Sequence, residues 1–537
     1  MKSRGGLIGI AALLTMSRGA EAACPADDYD PCGADCYRAC DCSYAKTSAA
    51  VAAAPAGGTV MVPAGSCTWD ATLTLQVGVS LIGSGSSDTI IARGGSPLIV
   101  YSPPSGSDFL FRVSGFGFDM GGSGKAIELY CDASSPPQTQ IRIDHNRVAD
   151  TDDGAGAVEN WGCRGVVDSN RFENLGSPLR NWGVGDGLAN WQTYPELEFG
   201  SLDDNFYVED NVFTGLCTYM WADCDQGGRY AYRYNSVSLN QPCWPLLDMH
   251  GGRGSLWGTM GAEVYGNLIS ANGLDVGLMA WRGGRLALFA NEVETSSSAY
   301  VTIYNNNGCP PDPYGAQQLH NSGHIWLNRN DSGGALIVPA VAEQQCGPIA
   351  ADVQYWQDNP GCEQPGACAD LTTGIGCGPL ASRPASCVPG TAYWATDQGC
   401  GSLSGLVGDI GTEPARSTIQ GTLYKCTDAN TWSPYFTPMV YPHPLREQAG
   451  GAGGVGGSSS GDSGGGAGTG GAAGVGGLGA GNAGPEPEGC GCRLGAASRH
   501  APVLALPCLA AFAVRRYRRR PNWRDRNAAV SANRLQL

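Results

Sequence analysis

The residues best suited to chemistry lie between positions 248 and 285. Asp248-Met-His250-Gly-Gly-Arg253 is followed by Glu263 and then by Arg282-Gly-Gly-Arg285. If Leu247 and Met249 face a core, Asp248 and His250 project to the other side of the same strand, because side chains alternate along a strand. A carboxylate, an imidazole and a guanidinium on one face can move a proton and stabilise the charge left behind. Elimination on a uronic-acid polymer needs both roles. His250 would be the base or acid, and Arg282 or Arg253 would neutralise the substrate carboxylate. Hydrolysis of a glycosidic bond needs two carboxylates instead, for which Asp248 and Glu263 are candidates. The same groups also make an ordinary solvated face laced with salt bridges.

Two other sets of residues can bind ligands. Asp203 and Asp204, with Glu209-Asp210 close by, and Asp223 with Asp225 offer the oxygen donors that calcium takes. Solvated turn aspartates give the same pattern. Trp182, Trp191 and Tyr194 stand in one stretch rich in Gly and Asn, and Trp257 stands in another. They suit either stacking on a sugar or packing of a loop onto the body of the protein.

A repeat must position these groups. Ile141-Arg-Ile-Asp-His-Asn146-Arg-Val148 has the pattern apolar, any, apolar, two residues, Asn, any, apolar. It recurs around Asn170, Asn211, Asn235, Asn267 and Asn291, with weaker copies ending at Asn306 and Asn330. The separations 146 to 170, 211 to 235, 267 to 291 and 306 to 330 are all 24 residues. A fixed period in this range marks a solenoid, and the alternation within each copy is that of a strand. The expected architecture is an all-β, right-handed parallel β-helix. Positions five and three before each Asn, and two after it, fill the core. The column four before each Asn points outward and reads Arg142, Val166, Tyr207, Ala231, Glu263, Ala287, Trp326. Asn tolerates the left-handed backbone region and is expected to hold the turn. An antiparallel sandwich is the alternative, but no hairpin signal recurs between copies. Coils stack about 4.8 Å apart, so Asp248, His250, Glu263 and Arg282 are expected on one face. The rhythm breaks after Asn170 and after Asn235, and insertions in solenoids often form the binding face.

Residues 49–92 add a resemblance. An Ala-rich segment, then GGTVMVPAG, then GVSLIGSGSSDTII, resembles the entry segment of pectate lyase-like β-helix proteins. The resemblance covers roughly residues 45–340 and implies the fold, with a short helix capping the first coil and Val60 and Val62 pointing inward. It implies a polysaccharide partner, cleaved by a lyase or a glycosidase. The Asn-Thr-Asp and Gly-His-Gly set of polygalacturonases is missing, as is the Arg-x-Pro-x-x-Arg motif of pectate lyases, so fold does not by itself give function. A non-catalytic surface or adhesion protein with the solenoid as a rigid scaffold is the other reading.

Composition bounds the rest. Of the 537 residues, 22 are Cys and only 15% are charged. Residues 1–23 read as a secretory signal peptide, and Cys-rich exported chains carry structural disulfides rather than zinc. Residues 24–48 then form a Cys-rich N-terminal cap, 49–345 the parallel β-helix, and 346–446 the final coils and a disulfide-bonded extension along the solenoid. Residues 447–488 form a Gly-rich linker that cannot bury a core. Residues 489–537 combine Cys490 and Cys492, an apolar run 501–514 and an Arg cluster, and resemble a myxobacterial C-terminal sorting signal. The resemblance implies processing machinery as a partner and places the body at the cell surface, with membrane contact only through this segment. Residues 515–537 carry eight Arg and one Asp, a charge of +7, which leaves −23 of the total −16 on the rest. Such an acidic body is a poor nucleic-acid binder, and it favours calcium as a bridge to any acidic glycan. Removing Cys490 and all that follows leaves nineteen cysteines, an odd number, so one thiol is left over or pairs between molecules.

Overall fold

The computed structural model describes residues 28–131, 138–183, 199–201, 203–215, 217, 220–243, 245–252, 257–305, 323–330, 334–362, 369–398 and 419–450. Trp191, Tyr194, Arg253 and Asn306 lie outside the described residues, as do the signal peptide, the linker from residue 451 on and the C-terminal segment. The protein is a parallel β-helix. Thirteen strands form one sheet, here sheet A, from Tyr29–Gly33 to Tyr355–Gln357. Every pairing in it is parallel except that between Tyr29–Gly33 and Cys36–Ala39. Nineteen strands form sheet B. Each coil contributes to sheet B twice, and in Arg147–Trp161 and Arg171–Trp182 the two contributions run together as one strand.

The repeat fills the core as its alternation requires. Ile141, Ile143, Phe206, Val208, Val264, Leu286 and Leu288 are buried from sheet A, and Val148, Phe172, Phe213, Ile269 and Val293 from sheet B. Burying each such side chain is worth about 1.5–3 kcal/mol. Where the inward slot holds Gly323, the ring of Trp281 from the opposite wall fills the space, and a Cβ there would overlap it.

The asparagines do more than turn the chain. Asn170 Nδ2 donates to Asn211 Oδ1 at 3.0 Å, and its backbone N–H reaches the same oxygen at 3.0 Å. The same pair of bonds links Asn146 to Asn170, Asn211 to Asn235, Asn235 to Asn267, Asn267 to Asn291 and Asn291 to Asn328. The final rung is therefore Asn328, not Asn330. Asn330 takes the inward slot two residues on, opposite Val293. Val301 to Tyr304 are not a copy of the sheet A motif, because they form a sheet B strand. The left-handed conformation belongs to the residue before each Asn: His145, Ser169, Asp210, Tyr234, Gly266, Ala290 and Leu327 have φ between 51° and 67°. This costs about 1–2 kcal/mol for a residue with a Cβ, and the paired ladder bonds offset it.

The solenoid is covered at its start and along one side. Helix Tyr44–Ala53, rich in the best helix former and stopped by Pro55, buries Thr47, Ala50 and Val51 over the first coil. Disulfides Cys32–Cys36 and Cys42–Cys67 staple this cap. Cys131–Cys163, Cys217–Cys243 and Cys387–Cys426 join later segments, and Cys40, Cys346 and Cys362 are also disulfide-bonded. Such a disulfide-rich solenoid fits an exported, extracellular protein. Cys224 is a buried free thiol. No helix among the described residues is long and apolar enough to cross a membrane.

Residues 419–446 run over the outward face of sheet A. Trp394, Leu423, Phe436 and Tyr441 pack on Tyr265, Phe289 and Trp326. Farther along, Met439 and Leu445 pack on Val166, Tyr207 and Ala231. The outward column four before each Asn is thus buried. Its last member is His324, in register with Ala287, because the rung is Asn328; Trp326 belongs to the column two residues on.

Candidate active site

Strands Ala222–Asp225, Leu247–Met249 and Val276–Trp281 are consecutive neighbours in sheet B. Leu247 and Met249 point into the core, and Asp248 and His250 project from the other side, as alternation predicts. Asp223 is the register partner of Asp248. Backbone bonds from His250 N to Cys224 O (2.9 Å) and from Arg282 N to Met249 O (2.9 Å) fix the neighbouring positions. Thr259 N bonds to His250 O at 2.8 Å. Trp257, two residues before Thr259, is half-buried.

Four side chains converge. Arg282 Nε donates to Asp248 Oδ1 at 2.9 Å, and its Nη2 donates to Oδ2. His250 Nε2 lies 3.2 Å from Asp223 Oδ1, 3.3 Å from Asp248 Oδ2 and 3.3 Å from Arg282 Nη2. Two carboxylates side by side on neighbouring strands repel, so the cations between them are required. Burial pushes against the charge on Asp223, but His250, Arg180 and Arg282 outweigh it and hold its carboxyl below the usual range. Burial also lowers the Arg282 guanidinium, against the pull of Asp223 and Asp225. Asp248 is 0% exposed and His250 6%, while 23% of the Arg282 side chain reaches solvent. His250 Nδ1 has no hydrogen-bond partner, so the polar contacts of the ring run through Nε2.

The structure brings together Asp248, His250 and Arg282 but separates them from Glu263. Glu263 is on sheet A, under the covering segments, where it accepts from Gly200 N and Asn205 Nδ2, both at 2.7 Å. Burial pushes its carboxyl up to about 6 despite these bonds. The second carboxylate beside Asp248 is Asp223. The sequence misleads here because the coil holding Asp223 follows a long interruption, which hides its register with Asp248. Arg180, one coil earlier and opposite Asp223, was missed for the same reason.

The other candidates divide similarly. Trp182 is not in a loop: it ends strand Arg171–Trp182, opposite Asp225, and donates to Glu159 Oε1 at 3.1 Å. Tyr130, Trp161 and Trp182 occupy successive coils, with ring centroids 6.2 and 5.9 Å apart. Asp225 is buried and accepts from Gln226 N at 2.8 Å. Asp203 is exposed; Asp204 accepts from Ser201 Oγ at 2.8 Å and lies 3.7 Å from Arg229. Among the described residues, the one group spaced to hold a metal is Asp223, Asp248 and His250. Calcium takes six to eight oxygen ligands, more than this trio offers, and one of its three donors is nitrogen. The chain matches no protein-family model and no curated protein sequence, so any reading of the site rests on its geometry.

Proposed function

We propose that this protein is an exported, surface-held enzyme of pectate lyase-like architecture that binds an extracellular polysaccharide and cleaves it by elimination. One observation carries the reading: His250 Nε2 lies between carboxylates from two consecutive coils, with a guanidinium at the same distance. Elimination breaks a C–H bond next to a carboxylate and expels the glycosidic oxygen, which takes up a proton. His250 is the member suited to carry that proton, and Arg282, the member that reaches solvent, faces the anionic substrate. Hydrolysis needs one protonated carboxyl. Asp223 is held below the usual range, which does not suit it as that acid. Segment 489–537 is the proposed sorting signal that delivers the body to the surface.

The exported protein, incubated with a panel of uronate and neutral polysaccharides, is expected to release unsaturated sugars that absorb in the ultraviolet. His250→Ala abolishes the signal. No product from any glycan, with the protein folded, sinks the enzymatic reading. The full burial of Asp248 favours a second reading, a non-catalytic scaffold in which the cluster ties three coils together, and that outcome would support it.

A further inference from the structure

The polar atoms around His250 are spaced like the ligands of a single small cation. We propose that Asp223 Oδ1, Asp248 Oδ2 and His250 Nε2 form a site for a divalent transition ion of the zinc class, for which the Arg282 guanidinium competes. The imidazole nitrogen is 3.2 and 3.3 Å from the two oxygens, and all three atoms lie within 4.8 Å of one another. Bonds of 2.0–2.1 Å in a tetrahedron put neighbouring ligands about 3.3 Å apart. The two separations from the imidazole nitrogen match that edge.

A second observation is independent of the spacing. Asp223 Oδ1 is buried, faces this point and accepts no hydrogen bond of good geometry. An acceptor left so costs about 1–3 kcal/mol unless something else fills the need. Asp223 and Asp248 stand on paired strands, and His250 follows the end of one with its N–H bonded to Cys224 O, which keeps such a set in place. A mixed set of one imidazole and two carboxylates suits zinc and its neighbours and leaves a fourth position for water.

Arg282 is the competitor. Its Nη2 bonds Asp248 Oδ2 and lies 3.3 Å from His250 Nε2, so it occupies the space the ion would take. Its side chain reaches solvent and can withdraw. Two carboxylates attract a doubly charged ion more than one guanidinium. A further consequence rests on the elimination reading: with the ion on Nε2, His250 has no lone pair to take a proton, so the ion switches cleavage off.

Calorimetric titration of the exported protein with zinc chloride, in the absence of glycan, tests the site. One equivalent is expected to bind. Arg282→Gln should tighten binding about tenfold, about 1.4 kcal/mol, and His250→Ala should abolish it. Asp223→Asn, close in shape, should weaken binding while circular dichroism shows the fold intact. Equal zinc binding by the native protein and His250→Ala overturns the proposal. So does absence of binding in both the native protein and Arg282→Gln, or calcium binding as tightly as zinc. Because no glycan is present, failure here leaves the elimination reading standing, and failure of cleavage leaves the metal site standing.

Discussion

The outward faces of sheets A and B both bury ionised side chains, yet they organise them in opposite ways. On sheet A the charges are shared out. Arg142 forks onto Asp168 and donates to the carbonyls of Leu445 and Arg446. Arg233 pairs with Glu209 and donates to Met439 O and Val440 O. Arg446 reaches Glu209 and Asp210, and Asp168 at 3.4 Å. These cations join the final segment to the solenoid through several acceptors each. On sheet B, Asp223, Asp248 and Arg282 all meet at one nitrogen, His250 Nε2. Buried charge alone does not mark a site. Nor does an unbonded buried atom, since Glu263 Oε2 and His443 Nε2 on the sheet A face have no hydrogen bond either; what sets the sheet B cluster apart is the convergence of two carboxylates and a guanidinium on one imidazole nitrogen, on which the proposed site rests.

Breaking the sheet B cluster should cost activity first. His250→Ala is expected to lower cleavage per folded molecule by about 10²–10⁴-fold, the usual worth of a positioned acid or base. A large midpoint shift with unaltered cleavage would erase the contrast between the faces. Breaking the sheet A fastening should do the reverse. Arg446→Met leaves Glu209, Asp210 and Asp168 short of a cation and is expected to cost about 3–5 kcal/mol, read from urea unfolding, with cleavage per folded molecule unchanged. Asn235→Ala removes a rung and leaves buried polar groups unpaired, costing about 1–3 kcal/mol. It should destabilise both faces alike, since the ladder belongs to neither.

The smallest effect concerns pH. Glu263 has its folded pKa raised to about 6 from an ordinary 4.5. Its contribution to stability is therefore full below about 4.5 and fades as pH rises through about 6. The loss is about 2 kcal/mol. Glu263→Gln should flatten the urea midpoint against pH across that window. Glu209 has the opposite sign: burial opposes its charge, but Arg233 and Arg446 outweigh it and hold it down to about 2. Its contribution is present at neutral pH and lost only as pH falls toward that value. An unchanged slope in Glu263→Gln would remove Glu263 from the account.

The sequence made the wall of the solenoid legible because one motif sets both strand alternation and the turn. It identified Leu247 and Met249 as core and so placed Asp248 and His250 outside. It did not reveal that the face bearing Glu263 is covered, because residues 419–446 reach it from far along the chain with no repeat to betray their path. Nor did it place Asp223 beside Asp248. Coil length varies between Asn170 and Asn267, and register across unequal coils cannot be counted from asparagines that sit at the turn before sheet B. The Asn330 rung was misread by two residues because Asn328 and Asn330 are both asparagine, and the inward isoleucine at 325 lies three before the first.

The ladder has a direction. In every rung the earlier asparagine gives its backbone N–H and its amide to the oxygen of the later one. A chain delivered N-terminus first across a membrane therefore always ends in a pair of donors awaiting the next coil. Each arriving asparagine oxygen closes the previous rung and presents a new open one, like a zip drawn from one end. Assembly can keep pace with export, one coil at a time, and coils can be added or lost in evolution without redesigning the rungs on either side.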